Sequence, residues 1–263
     1  MIKELKATAK LMQGKTLDTV YIGGGTPTTL EADQLDRLLG TIRENFDLEH
    51  VLEFTVEAGR PDSITREKLE VIRKYPVTRI SVNPQTMQQK TLDLVGRKHT
   101  VEDVEQIFHL ARELGFDNIN MDLIAGLPGE DAADMQDTLE KIEKLHPDSL
   151  TVHALAIKRA AKFGQEGRTM DPGSEITQMV EAAAASAERM GLVPYYLYRQ
   201  KNIAGNFENV DTQIAGLGRI EAVEQLYVDH TKAAIDSIGS TDESADSDAA
   251  ADTEADSAED SAE

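Results

Sequence analysis

Five times along this chain a short apolar run gives way to a glycine-rich or polar turn, and then to a stretch whose apolar residues recur at helical spacing. The runs are Thr19 to Ile22, Leu52 to Val56, Thr78 to Val82, Ile119 to Ile124 and Leu150 to Leu155. Helical spacing covers residues 1–14, Glu31 to Phe46, Ser63 to Arg73, Thr100 to Leu114, Ala132 to Leu145 and Glu175 to Met190. Tyr195 to Tyr198 reads as a last strand. Strand and helix in alternation with short connections mean parallel βαβ units, because parallel neighbours need a crossover and a helix supplies it. An α/β fold follows, either an open doubly wound sheet or a barrel, and periodicity does not choose between them. Asp62 and Ser63 are the expected caps of the third helix, and Thr100 with Asp103 forms a capping box on the fourth.

Unusual residues gather where the runs end. The first leads into Gly23-Gly24-Gly25-Thr26-Pro27-Thr28 and the second into Glu57. The third leads into Asn83, Pro84 and Gln85, and the fifth into Ala156 and Lys158. The fourth run contains Asp122, with Gly126-Leu127-Pro128 behind it. In either α/β architecture these positions converge on one mouth. The glycines fit neither a dinucleotide fingerprint nor a phosphate loop. They let a ligand approach the backbone, although a tight βα turn explains them equally well. Glu57 suits ribose hydroxyls or an ammonium, or is a strand-end surface carboxylate. Asp122 lies between Met121 and Leu123, and a buried acid needs a partner or a ligand. Arg97 suits a ligand carboxylate, or is a solvated helix-end charge. The histidines are scattered without the spacing of a metal pair, so no metal ligand is assigned.

Composition removes whole classes of chemistry. Cysteine is absent from the 263 residues, so disulfides, thiolate nucleophiles and cysteine-ligated iron–sulfur clusters are excluded for this polypeptide. The net charge of -21 speaks against a nucleic-acid partner. No run approaches the ~20 apolar residues of a membrane span. The N-terminus has no apolar segment with a cleavage site, so a cytoplasmic location is expected. Residues 240–263 are Ser, Ala, Asp, Glu and Thr, ten of them acidic, and read as a disordered acidic tail. The expected organisation is one domain over 1–210, a divergent helical segment over 211–239, and that tail.

The segments YIGGGTPTTL, FTVEAGRPD, RISVNPQTM, LVGRKHT and NINMDLIAGLPGED, in this order and spacing, resemble the coproporphyrinogen III oxidase-like branch of the radical S-adenosylmethionine superfamily. YYLYRQKNIAGNFENV is similar to its coproporphyrinogen dehydrogenase subgroup, and the resemblance runs from Lys3 to Val210. It implies an incomplete (β/α)6 barrel, here lacking its first strand and leaving the TVYI strand unpaired on one side. It also implies S-adenosylmethionine as cofactor. Gly24, Gly25 and Thr26 would hold the methionine moiety through the backbone. Glu57, Gln85, Arg97, Asp122 and Ala156 would complete the contacts, shared between two cofactor molecules. The family reaction decarboxylates two propionates of coproporphyrinogen III to give protoporphyrinogen IX in haem biosynthesis. A tetrapyrrole is the implied substrate, and an electron donor the implied partner of a full-length member. The family's [4Fe–4S] cluster sits on a Cys-x-x-x-Cys-x-x-Cys loop, which the resemblance places upstream of the first helix here. The expectation is therefore an N-terminally truncated member without radical activity of its own. A haem-binding chaperone-type relative and a non-functional remnant are the alternatives.

Overall fold

The computed structural model describes residues 1–155, 174–198 and 209–214. All fall within one compact unit, Met1–Ile220. The expected alternation is present: α1 (Ile2–Leu11), β1 (Thr19–Ile22), α2 (Ala32–Asn45), β2 (Glu53–Gly59), α3 (Arg66–Arg73) and β3 (Arg79–Val82). A short α4 (Gln89–Leu94) then precedes α5 (Val101–Glu113), β4 (Ile119–Ala125), α6 (Ala132–Leu145) and β5 (Ser149–Ala154). The described chain ends with α7 (Ser174–Arg189), β6 (Leu192–Tyr198) and β7 (Asn209–Ile214).

The strands form one sheet in the order β1-β2-β3-β4-β5-β7-β6. It is parallel from β1 to β5. β7 then runs antiparallel to β5, and β6 antiparallel to β7. The sheet is mostly parallel and not closed, and among the described residues β1 pairs only with β2, as expected of an incomplete barrel.

Side chains alternate between the two faces of each strand, and here the faces differ in chemistry. One face carries Phe54, Val56, Ile80, Met121, Leu123 and Leu150, all fully buried. Leu35 and Leu39 of α2, Leu69 and Ile72 of α3, Val104 and Phe108 of α5, and Leu139 and Ile142 of α6 complete that core. The other face carries Glu53, Thr55 and Glu57 on β2, Arg79 and Ser81 on β3, Asn120 and Asp122 on β4, and Ser149, Thr151 and His153 on β5. Across it, Thr55 is level with Arg79, Ser81 with Asn120, Asn120 with Ser149, and Asp122 with Thr151. The first face is held by burial of apolar area. The second is held by polar pairing, with Arg79 bonding Tyr195 Oη at 2.9 Å and Ser149 Oγ at 3.2 Å and lying 3.6 Å from Glu53.

Several boundaries depart from the sequence reading. β2 continues to Gly59, so Glu57 stands within the strand rather than after it. α3 starts at Arg66, capped by Thr65, whose hydroxyl accepts from the Lys68 amide. Asp62 and Ser63 instead belong to a 3-10 turn, Pro61–Ser63. The capping box of Thr100 and Asp103 is present. Asp211–Ile214, expected within a helical segment, continue β7 as a strand. The remainder of 215–239, the acidic tail and Ala156 lie outside the described residues.

Candidate functional site at the strand ends

The glycine loop leaves β1 and is clamped onto β2. Gly24 has φ +84°, a conformation that L side chains rarely adopt. Pro27–Thr29 then makes a 3-10 turn that buries Thr28. The Thr28 hydroxyl bonds the Ala58 carbonyl and lies 2.7 Å from Ser63 Oγ. Lys68 Nζ donates to the Thr28 carbonyl at 2.7 Å. A Cβ on Gly59 would stand 3.1 Å from Thr26 Cγ2, so the loop rests closely on the β2 backbone.

Glu57 comes from β2 on the polar face. Tyr21 Oη donates to its Oε2 at 3.0 Å. Desolvation pushes the Tyr21 phenol well above its usual range, and the fields of Glu57 and then Asp122 push it further, against Arg79. Asp122 accepts from Asn120 Nδ2 at 2.6 Å, and its other oxygen lies 3.9 Å from His153 Nε2. Thr151 Oγ1 donates to Asn120 Oδ1 at 3.2 Å, which orients the amide.

Gln85 has φ 70°, uncommon for a residue with a side chain. The strain is held by two bonds to β4: its amide donates to the Asp122 carbonyl at 2.9 Å, and its carbonyl accepts from Ile124 at 2.9 Å. Asn83 donates its amide to the Gly59 carbonyl at 2.8 Å. The side-chain oxygens of Asn83 and Ser81, at the end of β3, are buried without a hydrogen-bond partner among the described residues.

Arg97 follows α4, its amide bonded to the Leu92 carbonyl at 2.8 Å. Its guanidinium is held below its ordinary value by burial and by the nearby Arg60, with Asp62 opposing. Arg60 in turn pairs with Asp62 at 3.2 Å. His99, only 1% exposed, places Nε2 3.4 Å from the Pro84 carbonyl and Nδ1 4.0 Å from Asp62 Oδ1. Gly24, Gly25 and Thr26 thus follow β1 and Gln85 follows β3, while Glu57 and Asp122 stand within β2 and β4 on the polar face. Arg97 stands beside the turn after β2, tied through His99 to the residue before Gln85.

Tyr21, Asn120, Arg60 and His99 were not singled out from the sequence. A signal for two of them existed. Tyr21 is two residues before Gly23 and Asn120 two before Asp122, so strand alternation puts each on the face of its neighbour. An apolar cavity of about 380 Å³ lies on the opposite face, lined by Leu150, Val152, Val180, Ala183, Ala187 and Pro194. It has no part in this rim.

Residues 2–142 match the family model described as the radical SAM superfamily. The chain belongs to that superfamily. Within it, the chain is 49% identical over 201 residues to the oxygen-independent coproporphyrinogen-III oxidase-like protein HemZ of Bacillus subtilis, covering 75% of this chain and 40% of HemZ. It is 34% identical over 187 residues to the heme chaperone HemW of the same organism, covering 68% of this chain and 48% of HemW. Among solved structures, the coproporphyrinogen III oxidase HemN of Escherichia coli, a radical SAM enzyme, superposes with a TM-score of 0.66 at 27% identity. That match covers 73% of this chain and 45% of HemN. The radical SAM chain thus spans less than half the length of each of these relatives.

The two groups that membership implies fit this chain differently. A [4Fe–4S] cluster of the family type needs thiolates, and the sequence has no cysteine, so the residues do not fit it. S-adenosylmethionine fits. Cβ atoms at Gly24 or Gly25 would meet nothing within 4 Å, so the loop backbone is open there. Glu57 accepts one hydrogen bond among the described residues, leaving acceptor capacity for a ligand. The unpartnered oxygens of Ser81 and Asn83 mark the same strand ends.

Proposed function

We propose that this radical SAM chain binds S-adenosylmethionine at the strand-end rim, as the cofactor-holding part of a coproporphyrinogen III oxidase-like protein acting on a tetrapyrrole. The observation that carries the reading is the pairing of Glu57 with the Tyr21 hydroxyl at 3.0 Å beside an open glycine loop, on the sheet face that also presents Asp122. S-adenosylmethionine held there would supply the radical chemistry for which the superfamily is named. This chain's residues bind and orient. Gly24, Gly25 and Thr26 offer backbone groups to the methionine moiety. Glu57 and Asp122 accept from an ammonium or from ribose hydroxyls. The Gln85 amide offers both a donor and an acceptor, and Arg97 suits a carboxylate. Ala156, outside the described residues, completes the proposed set. Lacking thiolates, the polypeptide by itself holds the cofactor without cleaving it. A cytoplasmic location and an external electron donor for cluster-bearing members belong to the same proposal.

Calorimetric titration of the full chain with S-adenosylmethionine tests this. Saturable binding is expected, weakened about tenfold or more in Glu57→Gln and in Asp122→Asn, as for loss of a charged hydrogen bond. Absence of heat at millimolar cofactor would remove the reading. The HemW similarity supports a second reading, a haem-binding relative. It predicts a stoichiometric shift of the haem absorption band on titration. A chain that binds neither ligand, with an unfolding midpoint that neither one raises, would be a non-functional remnant.

A further inference from the structure

We propose that Tyr21 is a positioning residue for Glu57, and that position 23 is glycine so that the tyrosine can reach it. The inference rests on the reading of the rim as an S-adenosylmethionine site and adds to it a residue from the edge strand.

The geometry is specific to one glycine of the three. A Cβ built on Gly23 would lie 2.2 Å from Tyr21 Cε1, 2.8 Å from Tyr21 Cζ and 2.6 Å from Glu57 Oε2. No real Cβ tolerates such contacts, so any side chain there displaces the ring, the carboxylate or both. Gly25 shows no such contact, and Gly24 is required by its φ rather than by a neighbour. The empty side of Gly23 is thus filled by the Tyr21–Glu57 pair itself.

Tyr21 does not earn its place by packing. It is 66% exposed, on the edge strand of the sheet, whereas an aromatic serving the core would be covered. What it contributes is the hydroxyl, 3.0 Å from Glu57 Oε2. A phenol with an ordinary pKa of about 10 is protonated at neutral pH, and a carboxylate has no proton to give, so the hydroxyl is the donor of this pair. One carboxylate oxygen is therefore fixed, and Oε1 accepts from no described residue and faces the task of binding. Fixing a rotamer before the ligand arrives removes an ordering cost that the free side chain would otherwise meet on binding.

The experiment is calorimetric titration of the full chain with S-adenosylmethionine for wild type, Tyr21→Phe, Glu57→Gln and the double variant, with the thermal midpoint measured for each. Tyr21→Phe keeps the exposed ring and removes only the hydroxyl. It is expected to bind about 3- to 10-fold more weakly with an unchanged midpoint, the range set by freeing one side chain. It should add no further loss in the Glu57→Gln background, a coupling that a merely structural role would not produce. Gly23→Ala, which retains the hydroxyl but pushes the ring from its place, should show the same weakening. Wild-type binding with equally tight binding by Tyr21→Phe, or losses that simply add in the double variant, would overturn the role of Tyr21 while leaving the cofactor reading intact. No binding by wild type would remove the cofactor reading and this one with it.

Discussion

Glu130 and His99 are both buried titratable groups at the strand-end rim, and they answer to pH in opposite senses. Glu130 accepts from Thr86 Oγ1 at 2.6 Å, yet burial holds its carboxyl above the ordinary range. The folded state then binds more protons than the unfolded one above the ordinary glutamate pKa of about 4.3, so this residue's contribution falls as pH rises through that window. Glu130→Gln is expected to equal or exceed the wild type in stability at neutral pH and to lose that slope, checked by urea unfolding between pH 4 and 8. His99 is held below its ordinary value, first by burial. Here the unfolded state binds more protons below about 6.5, so stability present above that pH is lost as pH falls toward the folded value. His99→Gln should flatten the decline in thermal midpoint between pH 7 and 5. The midpoint at pH 7 should be less affected than in a core truncation, since Nδ1 has no hydrogen-bond partner among the described residues.

Each long helix and each parallel strand declared itself through its apolar residues, because burying one face imposes a period on the sequence. The elements that escaped lack that imprint. α4 is six residues long, too short for a period to show. β7, with the sequence NVDTQI, is largely polar and exists through pairing with β5 and β6 on either side. Long-range pairing of this kind leaves little local trace. Glu57 was placed outside its strand for a related reason, since a carboxylate on a polar inner face looks like the end of an apolar run. Capping chemistry is legible at Thr100 and Asp103, which cap α5, but misleads at α3, where a 3-10 turn takes up Asp62 and Ser63 and Thr65 becomes the cap; α6 has a capping box of its own at Asp131 and Asp134. Asp131→Ala, removing bonds to the Ala133 and Asp134 amides at 2.9 and 3.0 Å, should cost about 1 kcal/mol in urea unfolding. Arg79 ties β2, β3, β5 and β6 together on the polar face. Arg79→Leu leaves a largely buried Glu53 without that charge and should cost about 3 kcal/mol, measured the same way.

As a whole, the molecule divides its sheet between an apolar face and a polar face. The polar face is legible in the sequence at its rim, through residues that suit no helix or apolar core. The contacts of Tyr21 with Glu57, Asn120 with Asp122 and His99 with Pro84 are not legible there, because these are ordinary residues brought together only by the fold. Membership of the radical SAM superfamily sets the chemistry such a rim serves in relatives, while the absence of cysteine sets what this chain withholds. Anaerobic reconstitution with iron and sulfide should leave no stoichiometric iron–sulfur absorbance. The central claim, that the strand ends form one cofactor site, is tested most directly by amide NMR of the labelled chain titrated with S-adenosylmethionine. Saturable shifts should gather at Gly24, Gly25, Glu57, Gln85 and Asp122. Shifts confined to the apolar cavity around Val180 and Ala183, or none at saturating cofactor, would contradict it.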